Sequence, residues 1–406
     1  MYSLVIYLYL FAVKVAALFN HKARLLLKGH YHVFKILRTQ IQKDERYLWF
    51  HAASLGEFEQ GRPLMEHIRQ LYPQYKILLT FFSPSGYEVR KNYKGADVIC
   101  YLPFDTPTNV HRFFKYVHPE MAFFIKYEFW QNYLKAMQRR HIKVYSVCSI
   151  FRPNQVFFQW YGGQYYKALT RFTWLYVQNE ASKKLLSTRG ITNTSVVGDI
   201  RFDRVIDIRN EAKELPLIKQ FCDNSFVFIA GSSWEPDENI YIPYFLKRDN
   251  CKLIIAPHVV NESRLSGLER KLTKKKVVRY SKADATNITD ADCLLIDCYG
   301  MLSSIYRYGT VAYIGGGFGV GIHNVPEAAV YGIPVIFGPN NKRFQEAQAL
   351  LKLGGAFEIR DSESFKEIMH SLINDPDFRR KAGENAGNYI SQNSGAVDKI
   401  MASLTF

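Results

Sequence analysis

The segment His51-Ala52-Ala53-Ser54-Leu55-Gly56-Glu57 places a carboxylate three residues after a serine, where a short apolar run gives way to an amphipathic one. At the carboxyl edge of a sheet, Glu57 could take the proton of an attacking hydroxyl. The same spacing is that of a capping box, with Ser54 as N-cap and Glu57 at the third helical position. The two roles compete, because a side chain folded back on its own cap is not free to accept a proton. Gly56 removes side-chain bulk beside the carboxylate and leaves room for a ligand. Further polar residues follow other short apolar runs: Ser83 in Ser83-Pro84-Ser85-Gly86, Glu128 in Lys126-Tyr127-Glu128-Phe129-Trp130, then Ser149 and Arg152. Singly, each reads as a cap or a surface ion pair; jointly, they suggest a cluster on the acceptor side of a reaction.

The second concentration of chemistry is glycine-rich. Val311-Ala312-Tyr313-Ile314 runs into Gly315-Gly316-Gly317-Phe318-Gly319-Val320-Gly321, then Ile322-His323-Asn324-Val325-Pro326-Glu327. Glycines permit close backbone approach. Asn324 suits an N-cap and Pro326 the first helical turn, which would turn a helix start toward a phosphate. The segment is neither a P-loop, lacking GK followed by Ser or Thr, nor a dinucleotide fingerprint. Glu327 is better suited to sugar hydroxyls than to phosphate, and favourable helix-end electrostatics is its alternative reading. Gly231, Ser232 and His258 follow two other apolar runs and complete a donor-side set with Gly321.

These residues need elements to position them. Strand-like runs fall at 47–52, 76–81, 97–102, 121–125, 142–147 and 173–177, separated by amphipathic stretches. A second series follows at 226–230, 252–256, 276–279, 293–296, 311–314 and 334–337. Such alternation predicts parallel sheets covered by helices on both faces. The expected organisation is an N-terminal membrane anchor or interfacial helix over 1–22 and a first α/β domain over 23–205. A linker at 206–222, a second α/β domain over 223–385 and a helical tail over 386–406 complete it. Ligands of open α/β sheets bind outside the carboxyl ends of the strands, so a cleft between the two domains is expected.

Composition narrows the partners. The chain of 406 residues is 48% hydrophobic and 22% charged, with a formal net charge of +16 and 56 Phe and Tyr side chains (29 Phe, 27 Tyr). This is a folded protein whose field attracts anions. No zinc finger, RNA-reading motif or basic tail accompanies the charge, so nucleic acid is not the expected partner. Six dispersed cysteines without a CxxC argue against a disulfide framework or a zinc site, and no metal or cofactor is expected. Residues 1–19 are almost wholly apolar, about the ~20 residues that cross a bilayer. Lys22, Arg24, Lys28, Lys35 and Arg38 follow, a flank that would keep the body in the cytoplasm. A span, an interfacial helix and a helix docked on the enzyme are the three readings.

Taken in order, His51–Glu57, Lys126–Trp130, Gln178-Asn179-Glu180, Gly198–Asp203, Gly231–Ser233, Pro257-His258 and Ile322–Glu327 resemble the bacterial Kdo transferases. The resemblance runs from about Leu48 to beyond Asn341. It implies a GT-B arrangement of two facing Rossmann-like domains and transfer of 3-deoxy-D-manno-octulosonic acid (Kdo) from CMP-Kdo to lipid A precursor. An N-terminal attachment to the cytoplasmic side of the inner membrane is part of the same expectation. Glu57 matches the family's proposed general base, which puts catalysis ahead of capping. Glu327 matches an acidic residue used against the nucleotide ribose. Gly231, Ser232, His258, Gly321 and Asn324 fall in donor-site segments; Ser54, Gly56, Ser83, Glu128, Ser149 and Arg152 fall in the acceptor half. Ile322 stands where many relatives have a second glycine before His-Asn, and Cys298 where Thr or Ser is more familiar. Alternative readings are a transferase using another nucleotide sugar, or a non-catalytic protein that binds one at a membrane.

Overall fold

The computed structural model describes residues 2–223 and 225–406; Met1, the first residue of the expected anchor, and Asn224 lie outside them. The chain divides into two compact units, one running to Asp203 and taking back Ser394–Phe406, the other Arg204–Asn393.

In the first unit the short apolar runs become β1 (Tyr47–Ala52), β2 (Lys76–Phe81), β3 (Val98–Tyr101), β4 (Pro119–Ile125), β5 (Lys143–Ser149), β6 (Trp174–Val177) and β7 (Thr194–Val196). They form one parallel sheet in the order β3-β2-β1-β4-β5-β6-β7. The order reverses between β1 and β4, the topological switch point where such sheets receive ligands. All six residues of β1 are buried, as a central parallel strand covered on both faces requires. One face packs Trp49, Phe113, Phe124 and Tyr133; the other packs Phe50, Phe58, Met65 and Phe123.

The second unit repeats the plan with β8 (Phe226–Ser233), β9 (Cys251–Pro257), β10 (Val277–Arg279), β11 (Cys293–Leu295), β12 (Val311–Ile314), β13 (Val335–Phe337) and β14 (Ala356–Glu358). Its parallel order is β10-β11-β9-β8-β12-β13-β14, with the reversal between β8 and β12. Both units are Rossmann-like. The stretch 206–222 is filled by two helices, Ile200–Glu211 and Pro216–Cys222.

The amino-terminal expectation is overturned. The apolar run is not one long helix but α1 (Tyr2–Ala16), ended by a turn before α2 (His21–Gln40). Asn20 starts α2 by accepting hydrogen bonds from the Lys22 and Ala23 N–H groups. Fifteen residues rise only about 22 Å, short of the ~30 Å hydrocarbon core. Among the described residues no helix is long and apolar enough to cross a membrane. Placement in the inner membrane through this segment therefore falls. α1 instead buries Val13 with Leu26, Tyr101 and Phe104, packing on the first unit.

Candidate functional site

Glu57 stands at the third position of α3 (Leu55–Leu71), directly after β1. Its Oε2 accepts hydrogen bonds from the N–H groups of Ala53 (2.5 Å) and Ser54 (3.2 Å). Its Oε1 accepts none among the described residues. The competition between capping and proton transfer is thus resolved by division: one oxygen holds the helix start, the other is open. Burial raises the Glu57 pKa above the ordinary glutamate value, and the Glu128 charge raises it further. His51, the Ala53 N–H and Lys126 oppose that rise. Gly56 is exposed, and a side chain there would meet nothing within 4 Å, so the approach is open.

Behind Glu57 lies a buried polar chain. The strand register sets His51 of β1 opposite Thr80 of β2 and Phe124 of β4. His51 is fully buried, with Nδ1 2.9 Å from Thr80 Oγ1 and Nε2 3.0 Å from Glu128 Oε2. The Trp130 indole N–H donates to the same Glu128 oxygen at 2.6 Å, and the Trp49 indole N–H donates to Thr80 Oγ1 at 2.8 Å. Glu128 is thereby fixed at the end of β4.

Lys126, which β4 runs into, is held at φ 61°. Its carbonyl accepts a hydrogen bond from Ser149 Oγ at 2.7 Å, and its N–H donates to Val147 O. Left-handed backbone at a lysine is strained and persists only where the surroundings enforce it. Ser149, fully buried, supplies that enforcement. Ser83 starts the helix Pro84–Arg90, accepting from the Ser85 N–H, while its own N–H donates to Ala53 O. Arg152 is exposed beyond β5 and interacts with Tyr127. The first unit thus gathers Ser54, Gly56, Glu57, Ser83 and Glu128 at the ends of β1, β2 and β4, with Ser149 beneath and Arg152 further along the edge.

The second unit builds a different edge. Gly231 and Ser232 belong to β8 itself, which bulges between Gly231 and Ser233 and turns Ser232 to φ 52°. A Cβ at Gly231 would lie 1.8 Å from the Tyr306 hydroxyl, so glycine is needed there for packing. The imidazoles of His258 and His323 stack at 4.4 Å, and Trp234 stacks on His258 at 4.6 Å. The Trp234 indole N–H donates to His323 Nε2 at 2.9 Å. This acceptor role puts any proton of neutral His323 on Nδ1. Burial, and then the neighbouring His258, lower the His323 pKa, against the pull of Asp237.

Asp237 fastens the glycine loop from below, accepting from the N–H groups of Trp234 (2.9 Å) and Gly316 (2.8 Å) and from the Tyr313 hydroxyl (2.9 Å). Glu238, also buried, accepts from Ser233 Oγ and pairs with Arg264.

Asn324 does not cap a helix as expected. The helix after the loop is one turn, Pro326–Ala329, with Val325 at its start, and Asn324 Nδ2 donates to Glu327 Oε1 at 2.7 Å. Burial raises the Glu327 pKa, and the Asn324 hydrogen bond opposes the rise. Gly321 adopts φ 106°, and a Cβ there would collide with the Arg343 guanidinium. The Cys298 thiol lies against Met301 Sδ. The candidate sets drawn from the sequence lacked His51, Trp130, Trp234, Asp237 and His323. A histidine within an otherwise apolar strand and a tryptophan following the serines that end β8 were the available signals.

A family model described as 3-deoxy-D-manno-octulosonic-acid transferase (kdotransferase) matches residues 29–204. A 3-deoxy-D-manno-octulosonic acid transferase from Rickettsia typhi is 24% identical, covering 94% of this chain and 84% of the relative. One from Aquifex aeolicus is 25% identical, covering 88% and 97%. Over most of its length the chain is similar to bacterial 3-deoxy-D-manno-octulosonic acid transferases. Among solved structures, UDP-GlcNAc 2-epimerase from Neisseria meningitidis bound to UDP-GlcNAc superposes with a TM-score of 0.56 at 14% identity, covering 86% of this chain and 99% of that one. That likeness concerns the fold alone. Glu57 lies within the residues that the family model matches.

Proposed function

We propose that the chain transfers Kdo from CMP-Kdo to the 6′-hydroxyl of a lipid A precursor, with inversion at the anomeric carbon. The family relationship supports a glycosyltransferase of Kdo in lipopolysaccharide synthesis; acceptor, stereochemistry and residue roles are our reading. The observation that carries it is Glu57, one carboxylate oxygen tied to its helix start and the other free, with a raised proton affinity. The acceptor hydroxyl gives its proton to Oε1 as its oxygen attacks C2 of Kdo. The bond from C2 to the CMP phosphate breaks, and its electron pair leaves with CMP. A base with raised pKa is more effective at accepting that proton while remaining ionised at neutral pH. Glu128, anchored by His51 and Trp130, keeps that pKa high and orients the acceptor. In the second unit, Gly231, Ser232, His258, Gly321, Asn324 and Glu327 serve the donor, Glu327 toward the ribose hydroxyls.

Mass spectrometry of products from CMP-Kdo and tetra-acylated lipid A precursor tests donor and acceptor together. Glu57→Gln keeps a hydrogen-bond acceptor for both backbone N–H groups but cannot serve as the base. Turnover should fall by about 10²–10⁴-fold with folding intact. Near-normal turnover would remove Glu57 from the chemistry.

A further inference from the structure

Between the helices Gln131–Arg139 and Gly163–Leu169 of the first unit lies a pocket of about 290 Å³, closed on one side by the start of α1. Its walls include Gln131, Asn132, Lys135, Lys167 and Arg171, and no Asp or Glu lines it. None of the three cations pairs with a carboxylate among the described residues. Arg171 donates through Nη1 to Lys167 O at 2.7 Å, but its Nε is buried without an acceptor, and burial lowers its pKa. Gln131 Nε2 is likewise buried and unpartnered. Asp105, which bonds the wall residues Tyr2 and Asn132, is already occupied: it accepts from the Tyr2 hydroxyl and from the N–H groups of Asn132 and Tyr133. An adjoining pocket shares Asn132 and Lys135 and adds His111, Arg139 and Arg140, extending the positive field.

Buried donors without acceptors, here Arg171 Nε and Gln131 Nε2, are costly unless an acceptor joins them, and the exposed Lys135 and Lys167 beside them favour an anionic one. Arg and Lys around one concavity, with amide donors beside them, are suited to a phosphoryl group. The pocket also adjoins the candidate acceptor edge, because Gln131 directly follows Trp130, whose indole N–H holds Glu128.

We infer that this pocket binds a phosphate monoester borne by the acceptor. The identity of the bearer rests on the transfer reading above; the pocket's preference for a phosphoryl group does not.

The test uses the full chain and Lys135→Ala/Lys167→Ala, whose side chains are exposed and whose loss spares the core, alongside Arg171→Gln. With the phosphorylated acceptor, KM should rise about tenfold or more, the equivalent of ~1.4 kcal/mol, while kcat and the KM for CMP-Kdo stay unchanged. With a dephosphorylated acceptor, wild type and variants should behave alike. Separately, the ³¹P resonance of methyl phosphate should broaden with wild type and not with the variants, whether or not transfer is detected. Broadening without any change in acceptor KM would overturn the acceptor assignment and leave a site for free phosphate. Absence of broadening together with unchanged KM would overturn the site itself.

Discussion

At the scale of single residues, the proton affinity of Glu57 is set by its surroundings, and each contribution can be removed. Its pKa is raised first by burial and then by the Glu128 charge. A base works only when deprotonated, so transfer should fail as the pH drops through that raised value. Glu128→Gln removes the like charge and should move the acidic limb of the pH–rate profile to lower pH; an unmoved limb would mean that Glu128 does not act on Glu57. The same shift bears on stability. A carboxyl with a raised folded-state pKa favours folding when protonated and opposes it once ionised, and the penalty grows as pH rises through the folded pKa. Glu57→Gln should therefore unfold at neutral pH no more readily than wild type, measured by urea denaturation. In the sequence, Ser54-Leu55-Gly56-Glu57 gave spacing but not the separate fates of the two carboxylate oxygens. His51 was hidden because a histidine inside an apolar strand acquires meaning only when the register sets it beside Thr80 and Glu128.

At the scale of elements, the glycine-rich segment shows which glycines serve packing. A Cβ at Gly315 would lie 2.2 Å from Ser232 O, and one at Gly317 2.5 Å from Gly338 N, so the ends of β8, β12 and β13 pass with backbone almost touching backbone. Neither obstacle is a flexible side chain that could turn away. Gly319 has open space around it and no positive φ. Gly317→Ala should lower the stability of the second unit by about 1–3 kcal/mol, whereas Gly319→Ala should leave thermal unfolding nearly unchanged. Equal effects would refute the packing account. The major strands were legible because each is a short apolar run bounded by polar turns. The edge strands β7 and β14 were not, since Thr-Ser-Val and Ala-Phe-Glu hold too few large apolar residues to stand out from their flanks. Asn324 misled for a related reason: a good capping residue beside proline reads as a helix start, but its side chain is taken by Glu327. The apolar leader misled through its length, because hydropathy does not register the turn before Asn20.

At the scale of the whole molecule, the two units are not consecutive in the chain: the helical tail expected over 386–406 divides, and Ser394–Phe406 return to the first unit. After the helix Pro376–Gln392 the chain comes back to the first unit, where Ala396, Val397 and Ile400 enter the same core as Phe58 and Met65. Asp203 fastens this crossing, accepting from the N–H groups of Gly395, Ala396 and Val397. Phe406 stacks on Tyr72 at 3.9 Å, and the Tyr176 hydroxyl meets Ser403 Oγ. Because every one of these contacts lies in the first unit, damage to them should be felt there and not where the proposed donor residues lie. Asp203→Ala leaves three backbone donors short of one acceptor group and should cost about 1–3 kcal/mol. Hydrogen exchange should quicken in α3 and β1, the elements that carry Glu57, and remain unchanged in β8 and β12. Affinity for CMP, measured by calorimetry, should be preserved in the same variant while acceptor turnover falls. Faster exchange confined to the second unit, or equal loss in both, would show that the returning segment serves a different role from closing the acceptor-side core.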